Sequence, residues 1–192
     1  MPESWTAAEV ARSVADTLER GGLPYAVGGA IALGFYAVPR ATVDVDVNIF
    51  VSPEADLAPA LAVLTDAGFV ADDAASLRAH ACSGGQFRGS VHGLRVDVFV
   101  PAIPYYAEIA ARKRQVSLLG RPLWILGPED LVVLKLMFFR RKDLADVEAI
   151  FRDQGVSLDR HFVRQKLVEL VGESDERLAA LDAIEHDVDA PA

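Results

Sequence analysis

A chain of 192 residues with 52% hydrophobic side chains has room for one domain plus a small helical extension, and enough apolar surface to bury a core. With 24% charged residues and a net charge of −9, it is neither a disordered chain nor, taken whole, a non-specific nucleic-acid binder. No apolar run is long enough to span a bilayer, and no cationic stretch precedes an apolar one at the N-terminus, which carries Glu3 and Glu9.

The first element expected is an amphipathic helix over 6–20. Thr6 and Glu9 form a capping box, Val10, Val14 and Leu18 share a face, and Gly21-Gly22 ends it. Pro24 to Val27 reads as a short buried strand. Gly28-Gly29 then opens an apolar helix over about 30–37, ended by Pro39. The clearest strand is Thr42 to Val51. Val43, Val45, Val47 and Ile49 alternate with Asp44, Asp46, Asn48 and Phe50, so one face is apolar and the other begins with two acids and an amide. Pro53 opens a helix to Asp66, and 69–83 reads as a polar loop. Gln86 to His92 and Leu94 to Val100 form a hairpin turning at His92-Gly93. A helix over 104–114 and two short strands around Gly120 follow. Gly127-Pro128 then starts a helical region with breaks near Arg141, Gly155 and Gly172. The order describes an α+β domain, a mixed sheet flanked by helices over 1–127, with a helical C-terminal region over 128–192.

The single cysteine, Cys82, cannot close an internal disulfide and is expected as a small buried or half-buried residue, consistent with a reducing cytoplasm. The four histidines have no ligand spacing. Charge is uneven. Arg112 to Lys142 holds eight bases against two acids, while Glu173 to Asp189 holds seven acids against Arg177. Each run is ordinarily a solvated helix face, but the first also offers a local basic surface for a polyanion and the second a docking segment.

Residues i and i+2 of a strand point to the same side, so Asp44 and Asp46 project two carboxylates roughly 6–7 Å apart. Side by side they repel unless a cation neutralises them, and an oxygen site of this kind suits Mg²⁺ or Mn²⁺. Asp97, centred in the apolar strand Leu94 to Val100, is the natural third acid if that strand lies beside the first. Gly28-Gly29, between a strand and a helix, lets phosphate oxygens approach the backbone, although a tight turn alone explains a glycine pair equally.

Val27-Gly28-Gly29, fourteen residues, then Asp44-Val45-Asp46-Val47 resembles the Gly-Gly/Ser … Asp-x-Asp signature of the nucleotidyltransferase superfamily, and Asp97 resembles its third carboxylate. The fuller string from Gly28 to Asp46 resembles the branch that includes AbiEii-type toxins. The stretch Pro128-Glu129-Asp130-Leu131 … Lys135 … Lys142-Asp143-Leu144-Ala145-Asp146 resembles that branch's Pro-Glu-Asp-Leu … Lys … Lys-Asp-x-x-Asp region. The resemblance covers about 24–150. Many members carry serine where this chain has Gly29.

The resemblance implies transfer of a nucleoside monophosphate from an NTP with loss of pyrophosphate. Asp44 and Asp46 would hold two ions, and Asp97 would hold the catalytic ion and help activate the attacking hydroxyl. Gly28 and Gly29 would admit the triphosphate, and Lys135 would neutralise its β/γ charge. Arg40 and Thr42 would touch phosphate or acceptor. Asp143, with Asp146 on the same helix face, would orient Lys135 or contact the acceptor. Asp143 as a helix N-cap, and Arg40 and Lys142 as surface ion pairs, are the plainer alternatives. The acceptor is expected to be RNA, tRNA included, or a protein, as for toxin-like members, with an antitoxin-like partner. An aminoglycoside-type small-molecule transferase and a catalytically silent binding protein of the same fold are the alternatives.

Overall fold

The sequence enters its first element through a capping box. The Thr6 backbone N–H donates to Glu9 Oε2 at 2.8 Å, and Glu9 N–H donates back to Thr6 Oγ1 at 3.3 Å. Such a cap contributes about 1 kcal/mol. The computed structural model describes residues 5–190, and its chain forms two units: 1–31 with 41–126, and 32–40 with 127–192.

The first unit is built on a seven-stranded mixed sheet. Its strands are β1 (Tyr25–Val27), β2 (Asp44–Ile49), β3 (Val70–Ala71), β4 (Gln86–Val91), β5 (Leu94–Phe99), β6 (Arg114–Leu118) and β7 (Arg121–Ile125), in the order β3-β4-β5-β2-β1-β7-β6. Helix α1 (Ala7–Arg20) packs on β1, β2 and β7 and against α3 (Leu57–Asp66). Val10, Val14 and Leu18 are fully buried, as their spacing requires. Val45, Val47, Val96 and Val98 are buried too, so the apolar face of the alternating strands is the core face.

The pairing that positions the site is β2 with β5. It is parallel and sets Asp46 opposite Asp97 and Asp44 opposite Arg95. β4 and β5 form the expected hairpin. His92 (φ 50°) and Gly93 (φ 79°) both adopt the left-handed conformation that a two-residue turn of this hand demands. Leu119 and Gly120 repeat the device between β6 and β7.

Four boundaries differ from expectation. Strand β2 is confined to 44–49. Helix α3 starts at Leu57, because 53–56 form turns after Pro53. Helix α2 spans only Gly29–Leu33: Phe35 and Tyr36 donate to Ala32 and Leu33, three residues back, so the helix tightens and stops well before Pro39. The segment 69–83, expected as a loop, contains β3, which pairs with β4, and helix α4 (Leu77–Gly84). Cys82 lies on α4 and is exposed rather than buried, since Leu77 and Ala81 form that helix's inner face.

After α5 (Tyr105–Arg112) and the β6–β7 hairpin, the second unit gathers α6 (Pro128–Phe138), α7 (Arg141–Gln154), α8 (Arg160–Val171) and α9 (Glu176–Asp189), with a 3₁₀ turn at Gly155–Ser157. Pro128 occupies the first turn of α6, where its missing N–H costs nothing. The segment 32–40 belongs with these helices. Val38 N–H donates to Asp153, and Gln154 donates to the Tyr36 carbonyl. Among the described residues no helix is long and apolar enough to cross a membrane.

Candidate active site

Asp44 and Asp46 sit half-buried on one face of β2. Thr42 reaches over the strand's first residue, donating its hydroxyl hydrogen to the Asp44 carboxylate and accepting the Asp44 N–H at 3.4 Å. It therefore orients Asp44.

The glycine pair is fitted to Asp46. The Gly28 N–H donates to the Asp46 carbonyl at 2.8 Å. A methyl group on Gly28 would lie 3.1 Å from both Asn48 and Leu126. At Gly29 the backbone has φ +54°, and a Cβ there would stand 1.7 Å from Asp46 Oδ2 and 2.6 Å from its Cγ. Only glycine allows this backbone to pass so close to the carboxylate. A serine at this position would collide with Asp46 as it is placed here. Because α2 has a single turn, its dipole adds little, and close backbone approach is what the glycines contribute.

Asp97 stands in register with Asp46, about 5 Å away across the strands, but its carboxylate is engaged. Oδ1 accepts from Arg88 Nε at 2.6 Å and from Gln86 Nε2 at 3.4 Å. Oδ2 accepts from Arg95 through Nε at 3.0 Å and a terminal nitrogen at 2.7 Å. Asp97 is 3% exposed, while the side chains of Arg88 and Arg95 are 45% and 48% exposed. Hydrogen bonding to Asp97 raises the Arg95 pKa, and the charges of Asp44 and Asp46 add to the effect. Asp44 and Asp46 fit a divalent cation by donor type and spacing. Asp97 does not fit that role in this arrangement: both its oxygens are bound to guanidiniums, and no group of three acids, histidines or cysteines suited to a metal forms among the described residues. In this structure Asp44 and Asp46 form a carboxylate pair beside Asp97, whose carboxylate is bound by two arginines.

Arg88 and Arg95 are the functional candidates that the sequence reading missed, although the sequence carried the signal. Arg95 precedes Asp97 by two residues on the same strand face. A two-residue turn at His92-Gly93 puts Val91 opposite Leu94 and hence Arg88 opposite Asp97. Gln86 and Arg88 also line a shallow pocket of about 320 Å³ with Asp72, Asp73, Leu77, His80 and Phe87.

The second unit holds the remaining candidates as one ion-pair network. Lys135, buried on α6, donates to Asp146 Oδ2 at 2.6 Å and lies 3.9 Å from Asp143. Arg40 grips Asp146 with a two-pronged fork at 3.1 and 3.0 Å. Asp143 accepts from Arg140 Nε at 2.5 Å and from the Arg140 backbone N–H at 3.2 Å. Asp143 is the third residue of α7 and reaches back to its start, so it is not the N-cap residue. Burial pushes the Asp146 carboxyl up, but the hydrogen bonds and charges of Arg40 and Lys135 outweigh it and hold its pKa below the usual value. The basic run 112–142 is not a stripe of free cations: Lys135 is buried and paired, Arg121 pairs with Asp16, and Arg140 with Asp143.

A mixed sheet carrying an Asp-x-Asp strand against a Gly-Gly turn, followed by helices, is the nucleotidyltransferase arrangement, and solved structures share the fold. The solution structure of the antibiotic-resistance factor ANT(2'')-Ia matches with TM-score 0.61 at 14% identity, covering 94% of this chain and 97% of that one. A crystal structure of ANT(2'')-Ia in complex with adenylyl-2''-tobramycin gives 0.58 at 12% over the same shares. An antigenic nucleotidyltransferase-like protein from Paracoccidioides brasiliensis gives 0.54 at 19%, covering 92% of each chain. No functionally curated protein matches the chain by sequence. Residues 7–180 match the family described as nucleotidyl transferase of unknown function (DUF2204), and the chain belongs to that family.

Proposed function

We propose that this chain transfers a nucleoside monophosphate from an NTP to the hydroxyl of an RNA acceptor. The observation that carries the reading is the fit of Gly29 against Asp46, which joins the two halves of the sequence motif in one local geometry. Asp44 and Asp46 would hold Mg²⁺ or Mn²⁺, and Thr42 fixes Asp44. The cation, when bound, supplies Lewis-acid neutralisation of the triphosphate. The open backbone at Gly28-Gly29 admits the triphosphate close to the acids. The resemblance over Pro128 to Asp146 assigns the β/γ-phosphate charge to Lys135, which Asp146 and Asp143 orient. The acceptor hydroxyl gives its proton to solvent, its oxygen bonds to the α-phosphorus, and pyrophosphate leaves with the electron pair of the broken bond. The toxin-like assignment, and with it an antitoxin-like partner, rests on the sequence resemblance from Gly28 to Asp46 and from Pro128 to Asp146.

The second reading, transfer to an aminoglycoside, is favoured by the fold shared with ANT(2'')-Ia. The experiment is incubation with each α-labelled NTP and Mg²⁺ or Mn²⁺, offering tRNA, protein and aminoglycosides in parallel. Label in RNA supports the first reading, label in the drug the second. Label in none, with an active control enzyme, removes both.

A further inference from the structure

We propose that Arg88 and Arg95, held side by side by Asp97, form a phosphate cradle that selects a polynucleotide as acceptor. This deepens the transferase reading above and rests on it. A guanidinium has five N–H donors in a fixed fork. Arg88 uses one of them on Asp97, and Arg95 uses its Nε and one terminal nitrogen. Among the described residues neither makes another hydrogen bond, so most of Arg88's fork and one terminal nitrogen of Arg95 remain available. Both side chains are nearly half exposed, and Arg88 also lines the shallow pocket, so open space lies beside its free donors.

Asp97 explains how two like charges come to share one place. Buried and in register between them, it neutralises one and fixes the spacing of both. Because Asp97 pairs across the sheet with Asp46, the cradle adjoins the acid pair. Asp97 neutralises one of the two arginine charges and leaves the other, and Asp72 and Asp73 line the same pocket, so the guanidinium forks rather than the net charge of the cluster hold the phosphate. Free guanidinium forks match phosphate oxygens in geometry as well as charge. A polynucleotide brings a phosphate within one nucleotide of its terminal hydroxyl, whereas a protein hydroxyl has no fixed anion beside it.

The test is fluorescence anisotropy of a labelled single-stranded RNA with a free 3′-hydroxyl, titrated in Mg²⁺ without NTP over a range of salt. The proteins are wild type, Arg88→Gln, Arg95→Gln and Arg88→Lys. Each glutamine variant is expected to bind about tenfold more weakly. The slope of log K against log salt should fall by about 0.7 for each phosphate that is no longer neutralised. Arg88→Lys keeps the charge and loses the fork, so it should bind more weakly with an unchanged slope, and it carries the test if the glutamine variants do not fold. Binding of a non-hydrolysable NTP should stay at the wild-type level in all of them. Unchanged RNA affinity and slope, with a lowered melting temperature, would make the clamp purely structural and overturn the proposal. Weakened NTP binding with unchanged RNA affinity would assign the cradle to the triphosphate and overturn it equally. Because these readouts need no turnover, absence of label transfer by the wild type would sink the transferase reading separately.

Discussion

The backbone of Gly29 passes so close to Asp46 that a Cβ would stand 1.7 Å from the carboxylate oxygen. Two parts of a motif that lie well apart in the chain meet here at one point. Gly29→Ala is therefore expected to act twice. It strains a φ of +54°, costing about 1–2 kcal/mol. It also displaces the Asp46 carboxylate. Calorimetric titration with Mn²⁺ should show weaker binding than wild type, and label transfer should fall at least about tenfold. Wild-type Mn²⁺ affinity in a folded Gly29→Ala protein would detach the glycine from the acid pair.

Lys135 and Asp146 should separate binding from stability. Lys135→Ala leaves Asp146 paired with the Arg40 fork, so the protein should stay folded, bind Mn²⁺ as wild type does, and show a raised KM for NTP. Asp146→Ala leaves the buried Lys135 without its nearest partner and is expected to cost about 3–5 kcal/mol. Urea melts and steady-state kinetics on both variants check the contrast.

Much of the site was legible because it obeys strand arithmetic. The alternation in 42–51 placed Asp44 and Asp46 together. The two hairpin turns were readable from His92-Gly93 and Gly120, and the capping box from Thr6 and Glu9. The segment 69–83 was not legible. Helix α4 lacks a side-chain cap and buries only Leu77 and Ala81, a single i, i+4 pair, and β3 has two residues, so neither element has a period to detect. Asp97 stood out in its strand, but its partners did not. An apolar strand with one central acid says nothing of the arginine across the hairpin until the register is counted. The length of α2 was overestimated because Pro39 looked like its stop, while the backbone had already tightened near Leu33.

Asp146 gives the protein a definite acid dependence. Its folded pKa lies below its usual value, because Arg40 and Lys135 outweigh the effect of burial. The contribution of this pairing is complete above the unfolded carboxylate value of about 3.9 and is lost as pH falls through the lower folded value. Chemical denaturation from pH 7 down to about pH 3 should show the onset of that loss in the wild type. Asp146→Asn should be less stable at neutral pH and should converge on the wild type in acid. A constant gap between the two across the range would contradict the assignment.

Asp46 is assigned to the chemistry and not to the fold, and the sharpest check is transfer from α-labelled NTP to RNA by wild type and by Asp46→Ala. The half-buried carboxylate lies on the polar face of β2, so its loss leaves the apolar core untouched and relieves repulsion with Asp44. Wild type should label RNA robustly. Asp46→Ala should lose at least about 10³-fold of that activity, with a melting temperature equal to or slightly above wild type. Near wild-type labelling by Asp46→Ala, or its failure to fold, would contradict the assignment.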